Sequence, residues 1–170
     1  MLFHYLLLEM HFKRRDYAQV LIRVTSVANY VMNCYLKRNY QQFVNRNNRK
    51  KISLPKGQKE AFAKYYFDKE EHPIDYNRDL TLVAGLRFLE YQKDTVLVES
   101  LRQVEQIRKL RNRVSHDLDE LRLQENWEAP TEIVVAVKAL KQMIAVMYPQ
   151  IKASDYQYFA NLNQRMKELL

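Results

Sequence analysis

The chain has 170 residues, 47% hydrophobic and 28% charged, a balance that suits one folded unit with its own core and argues against disorder. Two glycines, Gly57 and Gly85, are too few for the tight turns of an all-β fold or for a glycine-rich phosphate loop, and one cysteine, Cys34, excludes an intrachain disulfide framework and a cysteine-built zinc site. The net charge of +8, from 28 Lys and Arg against 20 Asp and Glu, favours a polyanionic partner without naming one.

Residues 1–10 are apolar but carry His4 and Glu9, and the cations Lys13, Arg14 and Arg15 follow the apolar stretch. A secretory leader has the opposite charge order. No apolar run reaches the roughly 20 residues that span a bilayer. The expectation is a soluble cytoplasmic chain with no membrane partner. A first helix covers residues 2–13; its His4 and His11 are seven apart, not the four apart of a paired metal site.

Asp16 is the expected N-cap of a long second helix over 16–44, whose Tyr17, Val20, Leu21, Val24, Val27, Ala28 and Val31 recur at helical spacing. Cys34 falls in this stretch and reads as a small core residue. A basic, Asn-rich loop follows, with Arg46, Arg49, Lys50 and Lys51, closed by Pro55 and Gly57. It is the electrostatic candidate for RNA, with Tyr40 and Phe43 just before it for stacking, or else a solvated surface loop.

A third helix is expected over 58–67, a loop with His72 and Pro73 over 68–78, and a fourth helix over 79–92 with Leu82, Leu86 and Leu89 on one face. A fifth helix starts near Asp94. The sixth begins after Pro130 and runs to Met147, where Pro149 ends it, and Ile133, Val134 and Val135 belong to it rather than to a strand. Ser154, Asp155, Tyr156 and Gln157 read as a capping box for a seventh helix over 155–169. Trp127 is expected at a helix junction. The fold class is all-α, a bundle of six to seven helices in a single domain over 1–170.

The fifth helix carries the chemistry. Leu97, Leu101, Val104, Ile107, Leu110, Val114, Leu118 and Leu121 mark one buried face, and Arg111 falls within it. A charge there costs several kcal/mol unless it finds a partner or its stem snorkels to water. Five residues on is His116, in the run Arg111-Asn112-Arg113-Val114-Ser115-His116. Histidine takes and gives protons near neutral pH, and a forked guanidinium stabilises charge building on phosphate oxygens. The acidic residues show no metal-ligand spacing. Five helical residues turn by about 500°, which leaves Arg111 and His116 about 140° apart. Either the helix bends near Arg113 or a second copy completes the site.

This run, with Ile107-Arg108-Lys109-Leu110 before it and Asp117 after it, resembles the R-x4-6-H motif of the HEPN superfamily, in its form with a polar residue after the Arg. It is most similar to the ribonuclease domains of type III CRISPR systems, of the Csm and Csx kind. The resemblance implies an all-α homodimeric endoribonuclease that cuts single-stranded RNA without a metal cofactor and leaves a 2′,3′-cyclic phosphate and a 5′-hydroxyl. Arg111 and His116 would be catalytic, Asn112 would orient the site, and Arg113 and Ser115 would touch the RNA backbone. Those enzymes also carry a Rossmann-like CARF sensor for a cyclic oligoadenylate activator. Nothing in this chain reads as parallel strands with crossover helices, so that activator is expected only if a CARF domain is present in a longer protein. Three alternatives stay open: a catalytically inactive HEPN module such as a toxin–antitoxin partner, a HEPN toxin ribonuclease, and an unrelated helical domain in which Arg111 is salt-bridged in the core.

Overall fold

The computed structural model describes residues 1–43, 51–116, 131–158, 161 and 164, with side chains in the stretch before 116 described as far as Ile107. Among the described residues six α-helices follow one another: α1 Leu2–Lys13, α2 Tyr17–Asn39, α3 Lys56–Glu70, α4 Leu82–Tyr91, α5 Val98–His116 and α6 Thr131–Met147. Short 3-10 turns cover Gln41–Phe43 and Ala153–Gln157, and no strand element occurs among the described residues. The fold is the expected all-α bundle.

α2 is the central pillar. It packs against α1, α4, α5 and α6, while α5 also packs against α4 and α6, and α3 lies on α4. Its sequence explains this: the stripe Tyr17, Val20, Leu21, Val24, Val27, Ala28 and Val31 is buried throughout, and Met32, Tyr35 and Leu36 extend it. The stripe spans more than one face, as a helix surrounded by partners requires. Asp16 caps it as expected, its carboxylate accepting from Gln19 N at 3.3 Å. The other oxygen pairs with His11 Nδ1 at 3.1 Å, which ties α1 to the start of α2.

α2 stops at Asn39, short of the 44 expected from its pattern. Tertiary packing overrides helix propensity here. The Tyr40 hydroxyl donates to Asp94 Oδ2 at 2.7 Å, beside Tyr35, whose hydroxyl donates to the same oxygen at 2.7 Å. Tyr40 and Phe43 then dock edge-on against Phe88 of α4, at 5.4 and 6.0 Å between ring centres.

α3 is longer than expected, and its C-cap is Glu71, whose φ of 59° is left-handed. α4 starts later than 79 because Thr81 caps it, its hydroxyl oxygen accepting from Ala84 N at 3.2 Å. Leu82, Leu86 and Leu89 are buried as expected. Gly85 permits a close approach: a Cβ there would land on the Met32 thioether of α2. α5 starts at Val98 rather than near Asp94, because Asp94 is used before the helix, accepting from Val96 N at 3.0 Å while it holds the two tyrosines. Ile133, Val134 and Val135 are helical, with Ile133 fully buried.

Two further local expectations need correction. Cys34 is half-buried against the core rather than inside it. The capping box does not start at Ser154: Asp155 reaches back to Lys152 N at 2.8 Å, and a 3-10 turn forms where the seventh helix was expected to begin. Most of that helix, and Trp127, lie outside the described residues. Of the tyrosines, only Tyr30 and Tyr158 are exposed among those described.

Candidate active site

α5 is fixed to the bundle by its first half. Leu97, just before it, and Leu101, Val104 and Ile107 within it are fully buried, at 0% exposure. The steps between them, 4, 3 and 3, keep them on one stripe facing α2 and α6.

Charge adds a second fixing. Glu90, at the end of α4, has only 7% of its side chain exposed. It accepts from Arg87 Nη1 at 2.9 Å and from Arg102 of α5, through Nε at 2.9 Å and Nη2 at 2.8 Å. Arg87 also donates from Nε to Glu70 of α3 at 2.7 Å. Three helices are thereby joined by two carboxylates and two guanidinium groups. Burial by itself would raise the Glu90 pKa, but the hydrogen bonds and charges of Arg87 and Arg102 outweigh it and hold the carboxyl below its ordinary value. Burial works against the Arg87 charge, and Glu90 and Glu70 more than restore it. The sequence reading missed this network, although Arg87 and Glu90 stand three apart on one helix face, the spacing of a local ion pair.

The helix then continues unbroken to His116. Arg111, Asn112, Arg113, Ser115 and His116 all fall in its last two turns, and their side chains lie outside the described residues. In register, position 111 follows Ile107 by four residues and so continues the stripe of Leu101, Val104 and Ile107. With the helix uninterrupted at Arg113, positions 111 and 116 stand about 140° and about 7.5 Å apart along it.

The loop candidates divide. Arg46, Arg49 and Lys50 lie outside the described residues, and Lys51 is half-buried next to the buried Ile52. Tyr40 and Phe43 are not free platforms for stacking, since both rings are engaged with Phe88. Burial, and then the hydrogen bond and charge of Asp94, raise the Tyr40 pKa, so its hydroxyl stays a donor to that carboxylate. His4 is exposed, His11 is bonded to Asp16, and His72 is exposed with its ring edge-on to Tyr66 at 5.5 Å. Among the described residues no three His, Cys, Asp or Glu side chains come together as a metal site, and no helix is long and apolar enough to cross a membrane.

Comparison with known proteins gives the family. The curated CRISPR system endoribonuclease Csm6 of Enterococcus italicus is 28% identical over 179 residues, covering 99% of this chain and 41% of that protein. A solved structure, Enterococcus italicus Csm6 bound to cyclic hexa-2′-fluoro-hexa-dAMP, superposes with a TM-score of 0.80 at 30% identity, again over 99% of this chain and 41% of the other. The chain thus spans about two fifths of the length of the relatives it matches. The Cas_Csm6 HEPN domain profile matches residues 1–167, and the chain belongs to that family of type III CRISPR-associated HEPN domains.

Proposed function

We propose that this chain is a single HEPN unit of a CRISPR-associated endoribonuclease, cutting single-stranded RNA in antiviral defence in the cytoplasm. The observation that carries the site assignment is α5: a stripe of fully buried residues, continued in register by an arginine, on a helix that stays unbroken to a histidine. Five helical residues cannot put Arg111 and His116 on one face. The uninterrupted helix therefore supports a twofold homodimer in which both motifs line one cleft.

In that cleft the RNA 2′-hydroxyl attacks the adjacent phosphorus. The 2′-oxygen–phosphorus bond forms, the phosphorus–5′-oxygen bond breaks, and the proton lost by the 2′-hydroxyl is matched by one gained at the leaving 5′-oxygen. His116 serves as base or acid in this exchange. Arg111 stabilises the charge on the non-bridging oxygens. Asn112 orients the site, and Arg113, Ser115, Arg46, Arg49, Lys50 and Lys51 hold the backbone. The products are a 2′,3′-cyclic phosphate and a 5′-hydroxyl. No step needs a metal ion. The cyclic oligonucleotide named with the solved relative comes to this chain only through a sensor domain joined to this unit.

An unstructured RNA incubated with the chain in EDTA tests this. Cleavage should persist, leave cyclic phosphate ends and fall by at least about 100-fold in His116→Ala. Loss of activity in EDTA contradicts the metal-free chemistry, and full activity in His116→Ala removes the site.

A further inference from the structure

The connection between α3 and α4, residues 71–81, is a built surface rather than a slack loop. Tyr76 folds back so that its hydroxyl donates to Lys59 O at 3.0 Å, and Lys59 Nζ lies 4.6 Å over the Tyr76 ring. Asp75 accepts from Asn77 N at 2.8 Å and pairs with Arg78 Nε at 3.1 Å. Burial, with Tyr91 nearby, pushes the Tyr76 phenol up to about 12, so it remains a neutral donor. Compact loops packed by their own side chains often carry function.

This loop roofs a cavity of about 210 Å³. The floor is apolar, formed by Ile52, Leu80 and Ala84 with the buried ring of Tyr66. His72, Asp75, Arg78 and Asp79 stand at its polar edge, and Ile74 and Tyr76 contribute to its wall. The space is below the roughly 300–1,000 Å³ of sites for drug-sized ligands, and suits one flat heterocycle. The edge does not suit a lone phosphate. Arg78, 84% exposed, is offset by Asp75 beside it, and Asp79 adds a second carboxylate. A base edge presents donors and acceptors side by side, and a mixed edge answers both. Cations for a backbone stand close in the chain: Lys51 directly precedes Ile52 of the floor, and Lys59 sits on Tyr76 of the wall.

We propose that this cavity takes one unstacked nucleobase of single-stranded RNA, as a subsite built from α3, α4 and their connection rather than from the motif helix. The proposal rests on the ribonuclease reading for the source of the base. Single-stranded RNA is bound by splaying bases onto aromatic and apolar surfaces while cations follow the backbone. A carboxylate at this edge, such as that of Asp75, would accept from an exocyclic amine, which favours adenine, cytosine or guanine over uracil.

The test uses a labelled 2′-O-methyl RNA, which has no 2′-hydroxyl to attack with, and fluorescence anisotropy on the 170-residue chain. An abasic nucleotide is moved along the RNA one position at a time. For the unaltered chain, one position should weaken binding by roughly tenfold. In Ile74→Trp, whose indole fills the cavity, and in His72→Ala, at an exposed position, that penalty should vanish or shrink to about twofold while the melting temperature holds. A flat abasic scan, or the same penalty in both variants, overturns the proposal. Free adenosine monophosphate supplies the second arm: binding as tight as that of the RNA makes the cavity a mononucleotide site and also overturns it. The probe cannot be cut, so this outcome is separate from the fate of cleavage in His116→Ala.

Discussion

Arg87 and Arg111 both fall in register with apolar helix stripes, and their sequence neighbours differ. Arg87 stands among the buried residues of α4 with only 17% of its side chain exposed, and it brings its counter-charge with it: Glu90 is three residues on, and Glu70 of α3 meets its other edge. Arg111 has Ile107 and Arg108 one turn before it and Val114 and Ser115 one turn after, none of them acidic. A guanidinium that joins helices needs carboxylates, because an unpaired buried charge is costly. One kept for a phosphate needs its forked donors free, and a carboxylate beside it would occupy them. On its own helix Arg87 has a carboxylate one turn away and Arg111 has none.

Exchanging the two arginines for alanine would break the comparison most directly. Arg111→Ala should lower RNA cleavage by at least about 100-fold, as removal of a transition-state charge does, and leave stability within about 0.5 kcal/mol. Arg87→Ala should do the reverse. It strands Glu70 and weakens the hold on Glu90, at a cost of about 2–3 kcal/mol. This is the lower side of what breaking a buried pair costs, because the site keeps some exposure. Urea unfolding and the EDTA cleavage assay, run on both variants, read the two axes. Equal destabilisation by both would erase the distinction.

The sequence held this contrast only in part. The helices were legible because their apolar spacing is strong, and the α2 stripe lies buried residue for residue. The family was legible because the run Arg111 to His116 resembles a contiguous motif that can be read without a partner from elsewhere in the chain. What escaped depends on pairs distant in sequence. Asp94 reads as a helix start, yet it is occupied by Tyr35 and Tyr40, which lie 59 and 54 residues away. The same pairing ends α2 early and turns Tyr40 from an RNA platform into a packing residue. Glu70 to Arg87 is another such pair, 17 residues apart. Local patterns carry propensity and caps; they do not carry the long-range hydrogen bonds that decide where an element stops.

Acid sharpens the comparison at a smaller scale. Burial tends to raise the Glu90 pKa, and its bonds to Arg87 and Arg102 pull it below the ordinary value by more. A carboxylate with a depressed folded pKa contributes stability that is fully present above its unfolded pKa of about 4.3, and loses it as pH falls through the lower folded value. Glu90→Gln should therefore be less stable than the unaltered chain at pH 7, by about 1.5 kcal/mol, the lower end of what a hydrogen bond to a charged group contributes. The gap should narrow as the pH drops below about 4. Any gap from Arg111→Ala should stay flat over the same window, since that arginine has no neighbouring carboxylate on its own helix to titrate. Thermal melts from pH 7 to pH 3 check both, and a Glu90→Gln gap that widens in acid reverses the sign assigned to the network.

The smallest effect concerns the third donor to Glu90. Tyr65 of α3 points its hydroxyl at Glu90 Oε2 from 3.4 Å, well beyond the roughly 2.7–2.8 Å of a good O–H···O bond, whereas the guanidinium donors to the same carboxylate stand at 2.8–2.9 Å. Burial first, and then the Glu90 charge, raise the Tyr65 pKa, so the group is a neutral phenol facing a carboxylate already satisfied by two cations. Tyr65→Phe keeps the ring beside Tyr91, at 5.7 Å between centres, and removes only the long contact. It should cost less than about 0.5 kcal/mol and leave RNA cleavage unchanged. A loss as large as that of Arg87→Ala would mean that the phenol, not the guanidinium pair, holds α3 and α4 together. The charge-pairing distinction between Arg87 and Arg111 would then have no energetic basis.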